Sequence, residues 1–195
     1  MLRKMSAQTL DQWMEPVKEI KDDVARLAIL HSHPEWIVSA YFDLLKDFAE
    51  VEAALIANNI PAAPTLVWWP GRSSQAELIE LGGTPTAFSK YGIKFDGIPN
   101  TLEPVRRRRS GVQDEGSQLV AEIFSSVAAN SQRWLDLCAG PGGKAALLSS
   151  IAQEAGKDFT ANELSQPRAE LVRQVVGSSR VWVGDGRDIA RHGEL

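Results

Sequence analysis

The feature that most constrains this chain is a glycine turn, Ala139-Gly140-Pro141-Gly142-Gly143-Lys144, set between an apolar run and a helical one. Trp134-Leu135-Asp136-Leu137-Cys138 before it reads as a strand, and Gly143 to Glu154 after it as a helix. Phe159 to Glu163 then reads as a second strand, Pro167 to Val176 as a second helix, and Val181-Trp182-Val183 as a third strand ending at Gly184-Asp185-Gly186. Strand, helix, strand, helix, strand with short links is half of an open parallel sheet with helices on its faces. The predicted fold class is therefore α/β, with the first three strands of a Rossmann-like sheet.

The preceding residues follow other periods. Leu10, Trp13, Met14, Val17, Ile20, Val24, Leu27 and Leu30 recur at steps of three and four, which predicts an amphipathic helix or a helix pair over 7 to 30. Pro34 suits the first turn of a next helix carrying Trp36, Ile37, Ala40, Tyr41, Leu44 and Leu45, and a further helix is predicted from Phe48 to Ile56. Thr65 to Trp69, between Pro64 and Pro70-Gly71, reads as a strand. Gln75 to Leu81 reads as a short helix closed by Gly82-Gly83, and Tyr91 to Phe95 as another strand. Helix is expected again from about Asp114. The expected divisions are a helical segment over 1–33, a small α+β domain over 34–105, and the partial parallel-sheet domain over 106–195.

At 195 residues, 44% hydrophobic and 24% charged, the chain is globular rather than disordered or collagen-like. Its net charge of -4 excludes a wholly basic nucleic-acid-coating protein. The balance is uneven: residues 1–105 carry 9 Lys+Arg against 14 Asp+Glu, and residues 106–195 carry 12 against 11. A polyanion site is expected toward the second half or the junction, where Arg106, Arg107, Arg108 and Arg109 stand in a row, although such a run is more often a solvated loop.

Cys138 is the sole cysteine, which excludes an internal disulfide and any multi-cysteine zinc site within one chain, and fits a cytoplasmic protein. His31 and His33 lack nearby third and fourth ligands, so they read as a helix-end turn and no metal is expected. Met1 to Lys4 lead into an acidic amphipathic stretch, not a signal peptide. No apolar run approaches the roughly 20 residues needed to span a bilayer, and no membrane partner is expected.

Three nucleotide-like ligands compete for the glycine turn. A phosphate-binding P-loop needs Gly-x4-Gly-Lys-[Ser/Thr], but Cys138 falls at the first glycine and Ala145 where the hydroxyl belongs. The dinucleotide pattern Gly-x-Gly-x-x-[Gly/Ala] is met by Gly140, Gly142 and Ala145, with Glu163 about twenty residues on for a ribose. An S-adenosyl-L-methionine site needs the same turn and ribose carboxylate, and also a group for the adenine near the end of the third strand. Asp185 stands there between two glycines, and Lys144 is placed to pair with a methionine carboxylate. A turn that merely packs a helix on a strand stays open as well.

Leu135 to Lys144, preceded by Val112-Gln113-Asp114-Glu115-Gly116-Ser117-Gln118, resembles the bacterial ribosomal-RNA cytosine-C5 methyltransferase family, particularly its small-subunit rRNA members. Glu163 with Arg168, and Asp185-Gly186-Arg187, fall where that family's second and third motifs lie, and Pro34-Glu35-Trp36-Ile37-Val38 is similar to the start of its small RNA-binding domain. The resemblance covers about residues 6–195 and is strong over 112–187. It implies a class I methyltransferase sheet preceded by an RNA-binding domain, with S-adenosyl-L-methionine as cofactor and ribosomal RNA as partner. Lys144 and the backbone of Cys138, Ala139, Gly140, Pro141, Gly142 and Gly143 are implied to hold the methionine end, Glu163 the ribose hydroxyls and Asp185 the adenine, with Arg168 in support. Bland roles remain open: Arg168 pairing with Glu163 or Glu170, and Asp136 as a strand-end acceptor.

The family's chemistry needs a cysteine thiolate that adds to cytosine C6; this nucleophile and a second cysteine belong to family motifs on the fourth and fifth strands, the first reading Asp-x-Pro-Cys. No such motif occurs here, and Cys138 reads as a buried structural thiol within the donor motif. The expectation is a chain truncated at both ends, with the donor half-site, no catalytic residue and no activity alone. A non-catalytic RNA- or donor-binding remnant and a dinucleotide-dependent oxidoreductase are the alternatives. The missing fourth strand would leave an apolar edge along Trp134 to Leu137, which invites self-association.

Overall fold

The computed structural model describes residues 9–188, and the chain parts into two compact units, one up to Ala62 and one from Ala63. Sequence expectations for Met1 to Lys4, for residues 7 and 8 and for residues 189–195 lie outside the described residues.

The first unit is helical: α1 (Leu10–Lys18), α2 (Asp23–Leu30), α3 (Glu35–Leu45) and α4 (Phe48–Asn58). Its turns are set by short acidic side chains that take up orphan amides. Asp22 accepts from the Val24 and Ala25 amides at the start of α2, and Asp47 from the Ala49 amide at the start of α4. Pro34 stands one place earlier than expected, as the cap of α3. Leu27, Ala28, Val38, Val51 and Leu55 form one buried cluster. His31 Nε2 lies 3.1 Å from Glu52 Oε1, and His33 Nδ1 lies 2.6 Å from the His31 carbonyl oxygen.

In the second unit, β1 (Thr65–Trp68), α5 (Gln75–Glu80), β2 (Thr84–Pro85), β3 (Gly92–Lys94), α6 (Glu103–Arg106) and β4 (Ser110–Val112) come first. Their strands make an antiparallel sheet in the order β2-β3-β1-β4, with Leu66 opposite both Ile93 and Val112. Strand alternation sends Leu66 into a cluster with Leu78, Ile93 and Leu102, while Val67 and the following Trp69 enter the main core with Trp134 and Phe159. The compact units thus part at 62/63 and not at the expected 33/34 and 105/106. Leu27 and Ala28 share a core with α3 and α4, and β1 reaches past residue 105 to pair with β4.

Next come α7 (Glu115–Val127), β5 (Arg133–Asp136), α8 (Gly143–Glu154), β6 (Asp158–Glu163), α9 (Gln166–Arg173) and β7 (Arg180–Val183). Asp114 caps α7 by accepting from the Gly116 and Ser117 amides. Gln118, fully buried on α7, donates to the Leu66 and Gln113 carbonyls at 3.2 and 2.9 Å and accepts from Ser89 Oγ at 2.8 Å. One side chain therefore fastens α7 to the antiparallel sheet. Arg72 fastens the turn after β1 to the other side: it donates to the Val175 carbonyl and to Ser149 Oγ, with its guanidinium 5.4 Å from the Trp69 ring.

The parallel sheet runs β5-β6-β7 in register, a partial Rossmann-like sheet of three strands. Trp134, Phe159 and Ala161 point to the buried face, against Ala145, Ala146 and Leu147 of α8. On the other face Leu135, Thr160 and Trp182 are half-buried beside exposed Arg133, Asp158 and Arg180. Sheets of this kind are normally covered on both faces. Among the described residues this second face is incompletely covered, and β5 is an edge.

Candidate functional site

The site grows from the end of β5. Asp136 Oδ1 accepts from the Cys138 amide at 3.1 Å, which turns the chain out of the strand. Burial pushes the Asp136 carboxyl up, against the pull of that amide and of Lys144. Two glycines are then required. Gly142 caps α8 at φ +116°, and a Cβ there would lie 2.7 Å from Val175 Cγ2. At Gly140 a Cβ would fall 2.1 Å from Glu163 Oε2 and 2.9 Å from Arg168 Nε. Gly143 has nothing within 4 Å of its Cβ position.

Glu163, at the end of β6 and 7% exposed, fills the space Gly140 leaves. Its Oε2 accepts from the Gly140 amide at 2.9 Å and its Oε1 from the Ser165 amide at 3.0 Å. The Ser165 amide first, then that of Gly140 and the Arg168 charge, hold this carboxyl below the ordinary range in spite of its burial. Arg168 closes the arrangement: Nη2 donates to the Gly140 carbonyl at 2.5 Å, and Nε lies 3.9 Å from Glu163 Oε2. Glu170 instead pairs with Arg173 at 2.7 Å. Past β7, Asp185 accepts from the Arg187 side chain and backbone amide, and these hydrogen bonds push its carboxyl down to about 2.

The carboxyl ends of β5, β6 and β7 enclose a cavity of about 300 Å³ bordered by Leu137, Cys138, Asn162, Glu163, Arg168 and Asp185. Of the residues singled out from sequence, Cys138, Glu163, Arg168 and Asp185 border this space directly. Ala139, Gly140, Pro141, Gly142, Gly143 and Lys144 form the adjoining turn and the first turn of α8, with Lys144 exposed. A second cavity of about 320 Å³ lies on the incompletely covered face, bordered by Arg133, Leu135, Asp158, Arg180 and Trp182. It holds none of the turn. In open α/β sheets ligands bind beyond the carboxyl ends of the strands, which favours the first cavity.

Two expectations need correction. Cys138 is exposed and not buried, because β5 stops at Asp136 and the chain then turns out along the cavity wall. Arg109, in the run where a polyanion site is expected, is only partly exposed and is taken up by acids of the chain: it meets both oxygens of Glu77 at 2.6 and 2.9 Å and Glu103 at 2.5 Å. Arg106, Arg107 and Arg108 stay exposed, with Arg107 held 2.9 Å from Glu103. Asn162 escaped the sequence reading. Its only signal was an amide inside the predicted strand Phe159 to Glu163.

Residues 126–192 match the family described as 16S rRNA methyltransferase RsmB/F. A Mycobacterium tuberculosis protein, named provisionally as a methyltransferase, is 40% identical over 158 residues, which is 78% of this chain and 35% of that one. The ribosomal RNA small subunit methyltransferase B of Pseudomonas putida is 31% identical over 190 residues, 87% of this chain and 40% of that protein. The chain thus spans 35% to 40% of the length of these relatives. The crystal structure of PH0851 shares the fold, with a TM-score of 0.67 at 18% identity over 88% of this chain and 41% of that one. The matched residues 126–192 contain the turn at Gly140, the carboxylate that fills it and the acid beyond β7, so it is over the candidate site that the chain is similar to the 16S rRNA methyltransferase RsmB/F family.

Proposed function

We propose that this chain carries the S-adenosyl-L-methionine-binding half of an rRNA cytosine-C5 methyltransferase. The observation that supports it most is the Glu163 carboxylate locked under Gly140, at the mouth of a cavity that ends on a second acid, Asp185. The residues suit the donor: the turn has no room for a Cβ at Gly140, and Glu163, Arg168 and Asp185 border the cavity beside it. In this reading Lys144 and the backbone of Cys138 to Gly143 hold the methionine end, Glu163 takes the ribose hydroxyls, Asp185 the adenine, and Arg168 keeps the turn in place. The donor supplies an activated methyl group. The chain's own residues bind and orient it as anions, since both acids are held below their ordinary range. The antiparallel sheet over 65–112 and exposed Arg106, Arg107 and Arg108 would guide ribosomal RNA through its phosphates, in the cytoplasm.

Cys138 provides the test. It is exposed and borders the cavity, so S-adenosylhomocysteine should slow its alkylation and release heat in calorimetry. No heat and no protection, with tight binding of a reduced nicotinamide dinucleotide instead, would favour the oxidoreductase.

Self-association is part of the same proposal. Among the described residues β5 is an edge strand, and with half-buried Leu135 on it that edge is a ready pairing site. Sedimentation should show a concentration-dependent dimer or larger species. A monomer at every concentration, with a single cooperative melt, counts against it.

A further inference from the structure

Three helices of the second unit, α5, α6 and α8, end in the same way. The amide two places beyond the cap donates back to a carbonyl of the last turn: Gly83 to Leu78 at 3.0 Å, Arg109 to Pro104 at 2.8 Å and Lys157 to Ala152 at 2.8 Å. The residue before each of these donates one step further on, Gly82 to Ile79, Arg108 to Val105 and Gly156 to Gln153. This closure sets that residue in the left-handed region, which favours glycine because a Cβ crowds the following carbonyl oxygen. Gly82 stands there at φ +95° and Gly156 at +66°, but in α6 the place is taken by Arg108 at +54°. Among the described residues of this unit, Arg108 is the one non-glycine residue with positive φ.

Its side chain brings the fold nothing in exchange. Arg108 is exposed and has no hydrogen-bond or ion-pair partner among the described residues. Its neighbours differ: Glu103 holds Arg107 with one oxygen and Arg109 with the other, and Glu77 holds Arg109 as well. Four arginines against two glutamates leave two positive charges at this turn, on Arg106 and Arg108. The helix dipole does not explain the choice, since α6 is a single turn and Arg106 and Arg107 already stand at its end. Arg109 also donates to the Arg72 carbonyl at 3.1 Å, so the backbone carrying Arg108 is tied down while its guanidinium stays in water.

We propose that Arg108 is an RNA-binding residue whose guanidinium takes a backbone phosphate of ribosomal RNA, and that this contact is why an arginine stands where the turn favours glycine. The assignment rests on the ribosomal-RNA reading above. A guanidinium meets a phosphate through two parallel N–H donors, and a strand of RNA offers a neighbouring phosphate to Arg106. Such contacts supply affinity and position without reading a base.

The test measures melting and RNA binding on the full chain, and the two should move in opposite directions. Arg108→Gly should raise the melting midpoint by about 2–4 °C and weaken binding of a small-subunit rRNA fragment by about threefold to tenfold. The slope of log affinity against log salt should become shallower by about 0.7. Arg108→Gln removes the charge and keeps the backbone strain, so it should lose the same affinity with an unchanged midpoint. Unchanged affinity in both variants would overturn the proposal, as would a loss of affinity with an unchanged salt slope. A midpoint that does not rise in Arg108→Gly would make the arginine a structural cap and overturn it too. Failure of the unaltered chain to bind the fragment at low salt would overturn the ribosomal-RNA reading itself, and this proposal with it.

Discussion

Gly140→Ala is expected to raise the dissociation constant for S-adenosylhomocysteine by about 100-fold or more and to lower stability, while Gly143→Ala leaves stability unchanged within about 0.5 kcal/mol. The two glycines look equivalent in sequence, but their surroundings differ. A Cβ at 140 would fall 2.1 Å from Glu163 Oε2 and 2.8 Å from its Cδ. That carboxylate is 7% exposed and tied on both oxygens, so it cannot step aside without losing the Gly140 and Ser165 amides together. The cost is then the buried hydrogen bonds plus the lost ligand contact, and stability should fall by about 1–3 kcal/mol. At 143 the Cβ has open space and the residue opens a helix, where alanine is at least as good as glycine. Equal affinities for Gly140→Ala and the unaltered protein would remove the central contact of the proposed site.

The same carboxylates fix the pH dependence. Both are held below their ordinary values, so each contributes stability and ligand affinity fully above about pH 4 and loses it as pH falls through its folded value. For Asp185 that value is about 2. Affinity should therefore stay flat from about pH 8 to pH 5 as far as these two acids are concerned.

How far the sequence speaks depends on the range of the interaction. The strands Thr65–Trp68, Arg133–Asp136, Asp158–Glu163 and Arg180–Val183 were legible because β-branched and aromatic residues lie between turn formers. Thr84–Pro85 and Ser110–Val112 were not, since they are short, contain Pro or Gly, and exist only through partners far along the chain. Gly111 is an example. It reads as a breaker, yet it sits in a strand because a Cβ there would meet the Trp69 ring at 2.8 Å. The glycine turn and both cavity acids were visible as a pattern. The exposure of Cys138, the pairing of Arg109 with Glu77 and Glu103, and the Asn162 oxygen that has no partner among the described residues depend on what stands opposite each side chain, and spacing carries no such information.

Methyl transfer to cytosine C5 by this chain alone should be absent, at least about 10⁴-fold below the rate expected when a thiolate nucleophile is present. The carbon to be methylated is electron-poor, and it becomes nucleophilic only after a thiolate adds at C6. Cys138 is the one thiol in the sequence. Its amide is held by Asp136 and it borders the proposed donor cavity, so a bound donor would crowd it and not the pyrimidine. A small-subunit rRNA fragment incubated with labelled donor should gain no label from either the unaltered protein or Cys138→Ala. Donor binding should persist in both, because the turn, Glu163 and Asp185 are intact. Transfer by the unaltered protein that disappears in Cys138→Ala would make this thiol the nucleophile and reverse the assignment. Transfer that survives in Cys138→Ala would require chemistry at a base other than C5-cytosine, since no second thiol exists in the chain to activate that carbon.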